Sequence, residues 1–102
     1  MPQLKPLPRF PAIRRDLSLI LGEATRYEQV ESLIRKVSPQ NLEDVEYVTT
    51  YRGKPLEKGQ KSVTTTLIFR SPTATLTSEQ VEPAVQSVID AAKKELGATL
   101  RT

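Results

Sequence analysis

The sequence predicts an α+β fold in which a four-stranded antiparallel sheet carries two helices on one face. Three observations support this prediction: segments in which apolar and polar residues alternate, two segments with helical spacing, and punctuation by proline, glycine and helix-capping residues. Together they give the order strand, helix, strand, strand, helix, strand. A chain of 102 residues can form one such domain around a single modest core.

The first strand is predicted between Phe10 and Leu21, and the rest of the chain can be arranged against it. Leu17, Leu19 and Leu21 share one parity and are expected to point into the core, while the residues between them point away. This pattern is typical of a strand that packs on one side only. We therefore expect the strand to be central in the sheet.

The segment before this strand is rich in proline, with four prolines in residues 1–11. Each proline lacks an N–H group and has a fixed φ, so neither a helix nor an interior strand is expected there. We interpret residues 1–11 as a linker or extended arm and residues 12–102 as the folded domain. A tether of this kind indicates a piece of a longer protein.

The first helix is predicted to begin at a capping box formed by Thr25 and Glu28, whose side chains can satisfy each other's free backbone N–H groups. Apolar residues then recur at intervals of three and four, which indicates one buried stripe. Ser38-Pro39 is expected to end the helix, because the residue before a proline disfavours helical geometry.

The second helix is predicted to open at a capping box formed by Thr77 and Gln80 and to end at Gly97. Pro83 lies early in this helix, where a proline removes one intrahelical hydrogen bond. We therefore expect a bend or a loosened first turn there.

A β-hairpin is predicted between the two helices. Residues 42–52 are rich in Val, Tyr and Thr, and their alternation slips between Tyr47 and Val48, which indicates a bulge. Residues 53–59 supply the turn, and the next strand alternates cleanly up to Arg70. Its core-facing residues are expected to be Val63, Thr65, Leu67 and Phe69, and its outward residues Thr64, Thr66, Ile68 and Arg70. Residues 98–101 are the predicted last strand.

The predicted order is the ferredoxin-like, split βαβ arrangement. Right-handed crossovers place both helices on one face of the sheet and put the first and third strands in its centre. The other face of the sheet is then open, and it either meets water or receives a ligand. Its predicted residues from the two central strands are Arg14, Asp16, Ser18, Ile20, Thr64, Thr66, Ile68 and Arg70.

The composition excludes several kinds of active site. The chain has no cysteine and no histidine, so zinc sites, iron–sulfur clusters, catalytic thiols and histidine bases are ruled out. A net charge of +3 permits RNA binding without arguing for it. No apolar run approaches the roughly 20 residues of a membrane span, and no signal segment opens the chain. We expect a soluble, cytoplasmic protein with no catalytic residues and no metal of its own.

Several motifs, in order along most of the chain, resemble one known family. They are Phe10-Pro-Ala-Ile-Arg-Arg-Asp-Leu-Ser-Leu19, Tyr51-Arg-Gly53, Gly59-Gln-Lys-Ser62, Phe69-Arg70, Leu76-Thr-Ser-Glu-Gln-Val81 and Leu96-Gly-Ala-Thr-Leu-Arg101. The family is the ferredoxin-fold anticodon-binding domain that closes the beta subunit of bacterial phenylalanyl-tRNA synthetase. This sequence departs from the family pattern at Thr49, where an acidic residue is usual, at Val48, where an aromatic is usual, and at Pro83.

The resemblance implies a role for the domain and for its parent. The domain would grip the anticodon stem-loop of tRNA-Phe, while a phenylalanine–tRNA ligase activates the amino acid elsewhere in an α2β2 assembly. Implied partners are the tRNA, the remainder of the beta subunit and the alpha subunit, without a membrane. ATP and magnesium would serve the parent enzyme, and no cofactor is expected in this domain.

The candidate RNA-binding residues follow from the chemistry of RNA recognition, in which basic groups contact phosphates and polar groups reach the edges of loop bases. The alternative for each residue is a solvated surface side chain. Arg15 and Asp16 are instead expected to fix structure, and Tyr47 and Tyr51 to pack. Candidates for phosphates are Arg52, Lys54, Lys58 and Lys61 on the hairpin with Arg14 and Arg70 on the sheet; candidates for base edges are Ser18, Thr64 and Thr66.

Other classes of function remain open for this fold. A small-molecule regulatory module would be favoured by a glycine-rich turn after the first strand, but only Gly22 is present there. An acylphosphatase-type enzyme needs a phosphate-binding loop at the same place, and Glu23-Ala-Thr-Arg26 does not resemble one. A protein-docking module would differ from an RNA-binding one by lacking a steep loss of affinity with salt.

Overall fold

The chain forms a βαββαβ domain in a computed structural model that describes residues 10–54 and 56–101. Most of the predicted arm, residues 1–9, lies outside the described residues. The observed order confirms the predicted ferredoxin-like fold. The elements are β1 (Ile13–Gly22), α1 (Tyr27–Val37), β2 (Leu42–Tyr51), β3 (Gln60–Phe69), α2 (Ser78–Leu96) and β4 (Thr99–Leu100).

The four strands form one antiparallel sheet in the order β2-β3-β1-β4, so β1 and β3 are central as predicted. They pair along their whole length, from Ile13 opposite Phe69 to Gly22 opposite Gln60. The short strand β4 pairs only with Leu19 and Ile20 near the end of β1. The end of the sheet where β1 finishes is therefore four strands wide.

The core lies between the helices and one face of the sheet. Leu17, Leu19 and Leu21 are each at most 3% exposed, which confirms their predicted orientation. Thr65 is also fully buried, and its hydroxyl donates to the Glu46 carbonyl at 2.8 Å, so its polar atom is satisfied. Other core residues are Val63, Leu67 and Phe69 from β3, Val30, Leu33 and Ile34 from α1, and Val81, Val85, Val88 and Ala92 from α2.

Helix α1 begins one residue later than the predicted capping box. The side chain of Gln29 accepts a hydrogen bond from the Arg26 backbone N–H at 2.8 Å, so Gln29 takes the place predicted for Glu28. The Thr25 N–H instead donates to the Gly22 carbonyl at 3.1 Å and closes the turn after β1. Thr25 is therefore part of the turn, and Arg26 becomes the N-cap.

Helix α2 forms as predicted at both ends. The Thr77 N–H donates to the Gln80 side chain at 2.8 Å, and the Gln80 N–H donates to the Thr77 hydroxyl at 3.3 Å. Gly97 ends the helix with a positive φ of 66°. The helix continues through Pro83 to Leu96. In residues 10–54 and 56–101, neither helix is long and apolar enough to cross a membrane.

A bulge in β2 confirms the predicted slip. Tyr47 pairs with Thr65, but Thr49 pairs with Thr64, so Val48 is an extra residue on the β2 side. Tyr47 therefore lies on the helix-covered face beside buried Thr65. Tyr51 pairs with Ser62 and lies on the opposite face. The bulge thus sends two tyrosines of one strand to different faces of the sheet.

Candidate nucleic-acid interface

The face of the sheet opposite the helices, here called the open face, carries the predicted polar residues of β1 and β3. Thr66 and Ile68 were predicted to face outward and do so by register, yet each is only 6% exposed. The reason is an ion pair between Arg14 of β1 and Glu46 of β2, whose N–O distance is 2.8 Å. This pair spans β3 and reduces access to the residues beneath it.

Three hydroxyl groups that were predicted to reach base edges lie together at the centre of the open face. The hydroxyls of Ser18 and Thr64 are 2.7 Å apart and share one hydrogen bond. The Thr66 hydroxyl donates to the Asp16 carboxylate at 2.7 Å. Ser18 and Thr64 are half-buried, so they remain within reach of a ligand, whereas Thr66 is buried and already bonded.

One end of the sheet, where β1 begins, is rich in acidic groups and is called the acidic end. Its residues are Asp16, Glu43, Asp44 and Glu46. Arg14 pairs with Glu46 there, and Arg70 pairs with Glu43 at 3.1 Å. Arg70 also donates to the Phe10 carbonyl at 3.0 Å, which ties the start of the described chain to the end of β3. Both sheet arginines nominated for phosphates are therefore engaged by carboxylates.

The opposite end, called the basic end, contains the hairpin turn and the end of β1. Its basic residues are Arg52, Lys54, Lys58, Lys61 and Arg101. Lys54 and Lys58 are exposed and form no ion pair with any residue that the structure describes. The predicted phosphate ligands on the hairpin are thus brought together, and two of them remain free of a nearby carboxylate.

The other two hairpin candidates share one acidic partner, Glu23. Arg52 donates to its two carboxylate oxygens at 2.9 and 2.7 Å. The Lys61 ammonium lies 3.9 Å from one of those oxygens and donates to the Glu23 carbonyl at 3.2 Å. The hydrogen bonds from Arg52 hold the pKa of Glu23 below its usual value, and they raise the pKa of Arg52. The pair therefore stays ionised at neutral pH.

Tyr51, Ser62 and Arg101, together called the hairpin corner, lie at the basic end of the open face. Tyr51 is 41% exposed, and the Arg101 guanidinium lies 5.0 Å from the centre of its ring. Ser62 is 1% exposed, and its hydroxyl has no hydrogen-bond partner among the described residues. A buried hydroxyl without a partner costs free energy, typically about 1–3 kcal/mol, which marks the corner as unusual.

The sequence analysis did not nominate the members of the hairpin corner. Tyr51 was expected to pack, as Tyr47 does against Tyr27 with ring centres 4.9 Å apart. The slip at Val48 was the available signal, because it reverses the face of every residue between it and the hairpin turn. Ser62 has the same parity as Thr64 and could have been included with it.

Arg15 and Asp16 both serve the fold, as expected from the sequence. The Arg15 guanidinium forms an ion pair with Glu82 and so joins β1 to α2. Asp16 accepts from Thr66 and so joins β1 to β3. Their partners lie on a helix and on a neighbouring strand. The two neighbours point to opposite faces, as alternation requires.

The fold and the open face define a ferredoxin-like domain that leaves one polar sheet face accessible to a ligand. The chain belongs to the ferredoxin-fold anticodon binding domain family, which it matches over residues 8–101.

Curated relatives support this membership. Over 97 residues the chain is 35% identical to a phenylalanine–tRNA ligase beta subunit of Clostridium tetani, a match that covers 95% of this chain and 12% of that protein. It is 36% identical over 99 residues to the beta subunit of Bifidobacterium longum, covering 97% of this chain and 11% of that protein. It is 37% identical over 97 residues to that of Chromobacterium violaceum, covering 95% and 12%. The chain thus spans only about one eighth of the length of these relatives.

Proposed function

We propose that this chain is the anticodon-binding domain of a phenylalanine–tRNA ligase beta subunit and binds the anticodon stem-loop of tRNA-Phe on its open face. Family membership and the names of the relatives support this assignment. The observation that carries it is the hairpin corner, where an accessible aromatic ring, a guanidinium group and an unsatisfied hydroxyl meet at the basic end of the sheet.

The chemistry of the hairpin corner suits an unstacked loop base. Such bases stack on aromatic rings or guanidinium planes, and their edges are read by hydrogen bonds. Tyr51 and Arg101 offer both planes, and the half-buried hydroxyls of Ser18 and Thr64 lie on the same face for hydrogen bonds to a base edge.

The surrounding charges suit the backbone of the same loop. Phosphate contacts position an RNA without reading its sequence. Lys54 and Lys58 are the most available phosphate ligands, since both are exposed and neither pairs with a described carboxylate. Arg52 and Lys61 follow, and Arg14 and Arg70 come last because they are engaged at the acidic end.

In this proposal the parent protein supplies the reaction. Activation of phenylalanine with ATP and magnesium, and its transfer to tRNA-Phe, belong to other parts of a cytoplasmic α2β2 ligase. Residues 1–11 would tether the domain at residues 12–102 to the remainder of the beta subunit. Within residues 10–54 and 56–101, no three His, Cys, Asp or Glu side chains cluster closely enough to hold a metal ion. The part assigned to this chain is therefore binding alone.

A titration with RNA tests the proposal. The domain is mixed with a phenylalanine anticodon stem-loop or with the same stem carrying a scrambled loop, at low and at physiological salt. We expect tighter binding to the true loop and weaker binding of both RNAs as salt rises. Equal binding of the two loops, or no binding at high micromolar concentration, would contradict anticodon recognition by this domain.

A pair of tyrosine variants locates the face. Tyr51→Ala should remove the preference for the true loop, because stacking on an aromatic side chain contributes about 1–3 kcal/mol per base. Tyr47→Ala is the matched control, since it removes an equally exposed ring from the same strand on the helix-covered face. The control should retain the preference. If Tyr47→Ala reduces the preference for the true loop more than Tyr51→Ala does, the RNA binds on the helix-covered face and the proposal is wrong.

A further inference from the structure

A carboxylate already occupies the cationic site formed by Arg52 and Lys61. Arg52 directs two N–H groups at Glu23, through Nε at 2.9 Å and Nη2 at 2.7 Å, and the Lys61 ammonium lies 3.9 Å away. This two-pronged geometry is the one that a guanidinium uses for a phosphate as well as for a carboxylate. The site is therefore built for an anion with two available oxygens.

The two cations differ in how freely they can change partner. The side chain of Arg52 is 57% exposed and that of Glu23 is 48% exposed, so water and other anions can reach this pair. The Lys61 side chain is only 10% exposed and is held by the Glu23 carbonyl. Arg52 can thus exchange one anion for another while Lys61 stays in place.

The turn that carries Glu23 does not depend on its carboxylate. The Glu23 N–H donates to the Gly59 carbonyl at 2.8 Å, and Lys61 binds the Glu23 carbonyl at 3.2 Å. The Thr25 N–H closes the turn onto Gly22 at 3.1 Å. These contacts all use backbone atoms of the turn. The position of the turn is fixed without the ion pair, so the carboxylate is available for another role.

We infer that the Glu23 carboxylate competes with RNA phosphate for Arg52. When the domain binds its ligand, an RNA phosphate displaces Glu23 from Arg52. This inference rests on the proposed RNA-binding function. It assigns Glu23 the role of weakening phosphate binding at the basic end. An exposed ion pair stabilises a protein little, so the exchange of carboxylate for phosphate is energetically easy, and the affinity for RNA is set below what the cations alone would give.

Substitution of Glu23 tests the inference against a matched control. Glu23→Gln removes the charge and keeps the shape. Glu57→Gln removes one charge from the neighbouring hairpin loop, where Glu57 forms no ion pair with a described residue. We expect Glu23→Gln to bind the stem-loop several-fold more tightly than Glu57→Gln.

A double substitution separates the specific exchange from a general change in charge. A Glu23→Gln, Arg52→Gln protein should bind RNA no more tightly than Arg52→Gln alone, because the cation that Glu23→Gln would release is absent. Persistence of the gain would overturn the inference, and so would a Glu23→Gln protein that binds RNA no more tightly than Glu57→Gln. If Glu23→Gln fails to unfold cooperatively, Glu23→Ala provides the same removal of charge.

Inorganic phosphate provides a measurement that does not depend on RNA recognition. The NMR signal of the Arg52 Nε–H group is followed as phosphate is added to the wild-type, Glu23→Gln and Glu57→Gln proteins. We expect saturation at several-fold lower phosphate in Glu23→Gln than in the other two. Equal curves would overturn the inference. If the wild-type protein does not bind RNA but Glu23→Gln still gains phosphate binding, the proposed function is refuted, and only competition between Glu23 and an anion for Arg52 is supported.

Discussion

Tyr51 and Tyr47 lie on opposite faces of the sheet although they are four positions apart on one strand. An even spacing places two residues on the same face of a regular strand. The extra residue Val48 reverses this relation, so Tyr47 packs on Tyr27 while Tyr51 meets Arg101. The placement of the Tyr51 ring on the open face therefore depends on the bulge, in which Val48 has no partner on β3.

Deletion of Val48 should be tolerated. Without it Tyr47 and Thr49 become neighbours opposite Thr65 and Thr64, which is the alternation of a regular strand. Val48 is 50% exposed and only adds one residue to β2, so we expect its deletion to change the unfolding free energy by at most about 1 kcal/mol. Urea unfolding measures the stability. A nuclear Overhauser contact between the rings of Tyr51 and Tyr27 in the shortened protein would show that the assignment of faces is wrong.

Phe69→Ala should be severely destabilising. Phe69 is fully buried where β3 ends, and it packs with the core residues of both helices. Loss of a buried phenylalanine ring costs about 3–5 kcal/mol, which is a large part of the total stability of a small domain. Thermal unfolding followed by circular dichroism measures the change. Val48→Ala is the control, and a similar loss of stability in both proteins would argue against the core described here.

Ser62→Ala should keep or raise stability and leave the discrimination between loops unchanged, because Ser62 is buried. The hydroxyl of Ser62 is buried without a partner, so its removal relieves a cost instead of breaking a bond. Ser18→Ala is the comparison, because it breaks the 2.7 Å hydrogen bond to Thr64 and should cost about 1 kcal/mol. Unfolding curves and stem-loop titrations of both variants separate the two effects. A Ser62→Ala protein that no longer discriminates between the loops would show that a base reaches this buried hydroxyl.

Replacement of Lys54 and Lys58 by alanine should weaken binding to true and scrambled loops alike. Phosphate contacts carry no sequence information, and two lost contacts should reduce the salt slope by about 1.4. Lys93 and Lys94 in the last turn of α2 are exposed lysines away from the open face and form the matched double control. An equal loss in the control protein would mean that overall charge, and not the basic end, attracts RNA.

Asp44→Asn should flatten the dependence of stability on pH in acid. The Val45 N–H and then the Arg35 guanidinium hold the pKa of Asp44 below its usual value. A lowered pKa in the folded state means that this stabilisation is present above pH 4 or so and is lost as pH falls through the folded value. The free energy of unfolding, measured by urea from neutral pH to about pH 2, should therefore decline less steeply in the variant. An unchanged slope would show that Asp44 contributes nothing to it.

The fold was predictable because its signals are local. Alternation in β1 and β3, the Thr77 capping box and Gly97 each depend on residues within a few positions of one another. The predicted start of α1 is one residue early because the Thr25 N–H closes the turn onto Gly22, which leaves Arg26 as the N-cap.

The charges of the candidate site could be predicted only in part. The sequence identified the cations but not the carboxylates that hold them. Glu23 reaches Arg52, Glu46 reaches Arg14 and Glu43 reaches Arg70, and each pair is separated by at least 27 positions. Pairs so far apart leave no periodic trace in a single sequence. The sheet face of Tyr51 could not be predicted for a related reason, since a strand bulge changes the face of a residue without changing its type.

The division of the open face into an acidic and a basic end has a consequence for kinetics. A molecule with opposite charges at its two ends has an electric dipole along the sheet, and an approaching polyanion experiences a torque before it touches the surface. Glu43, Asp44 and Glu46 neutralise the arginines with which they pair, while encounters that present RNA to the hairpin lysines are accelerated. Residues at the acidic end can thus influence how fast productive complexes form, even where they never contact the RNA.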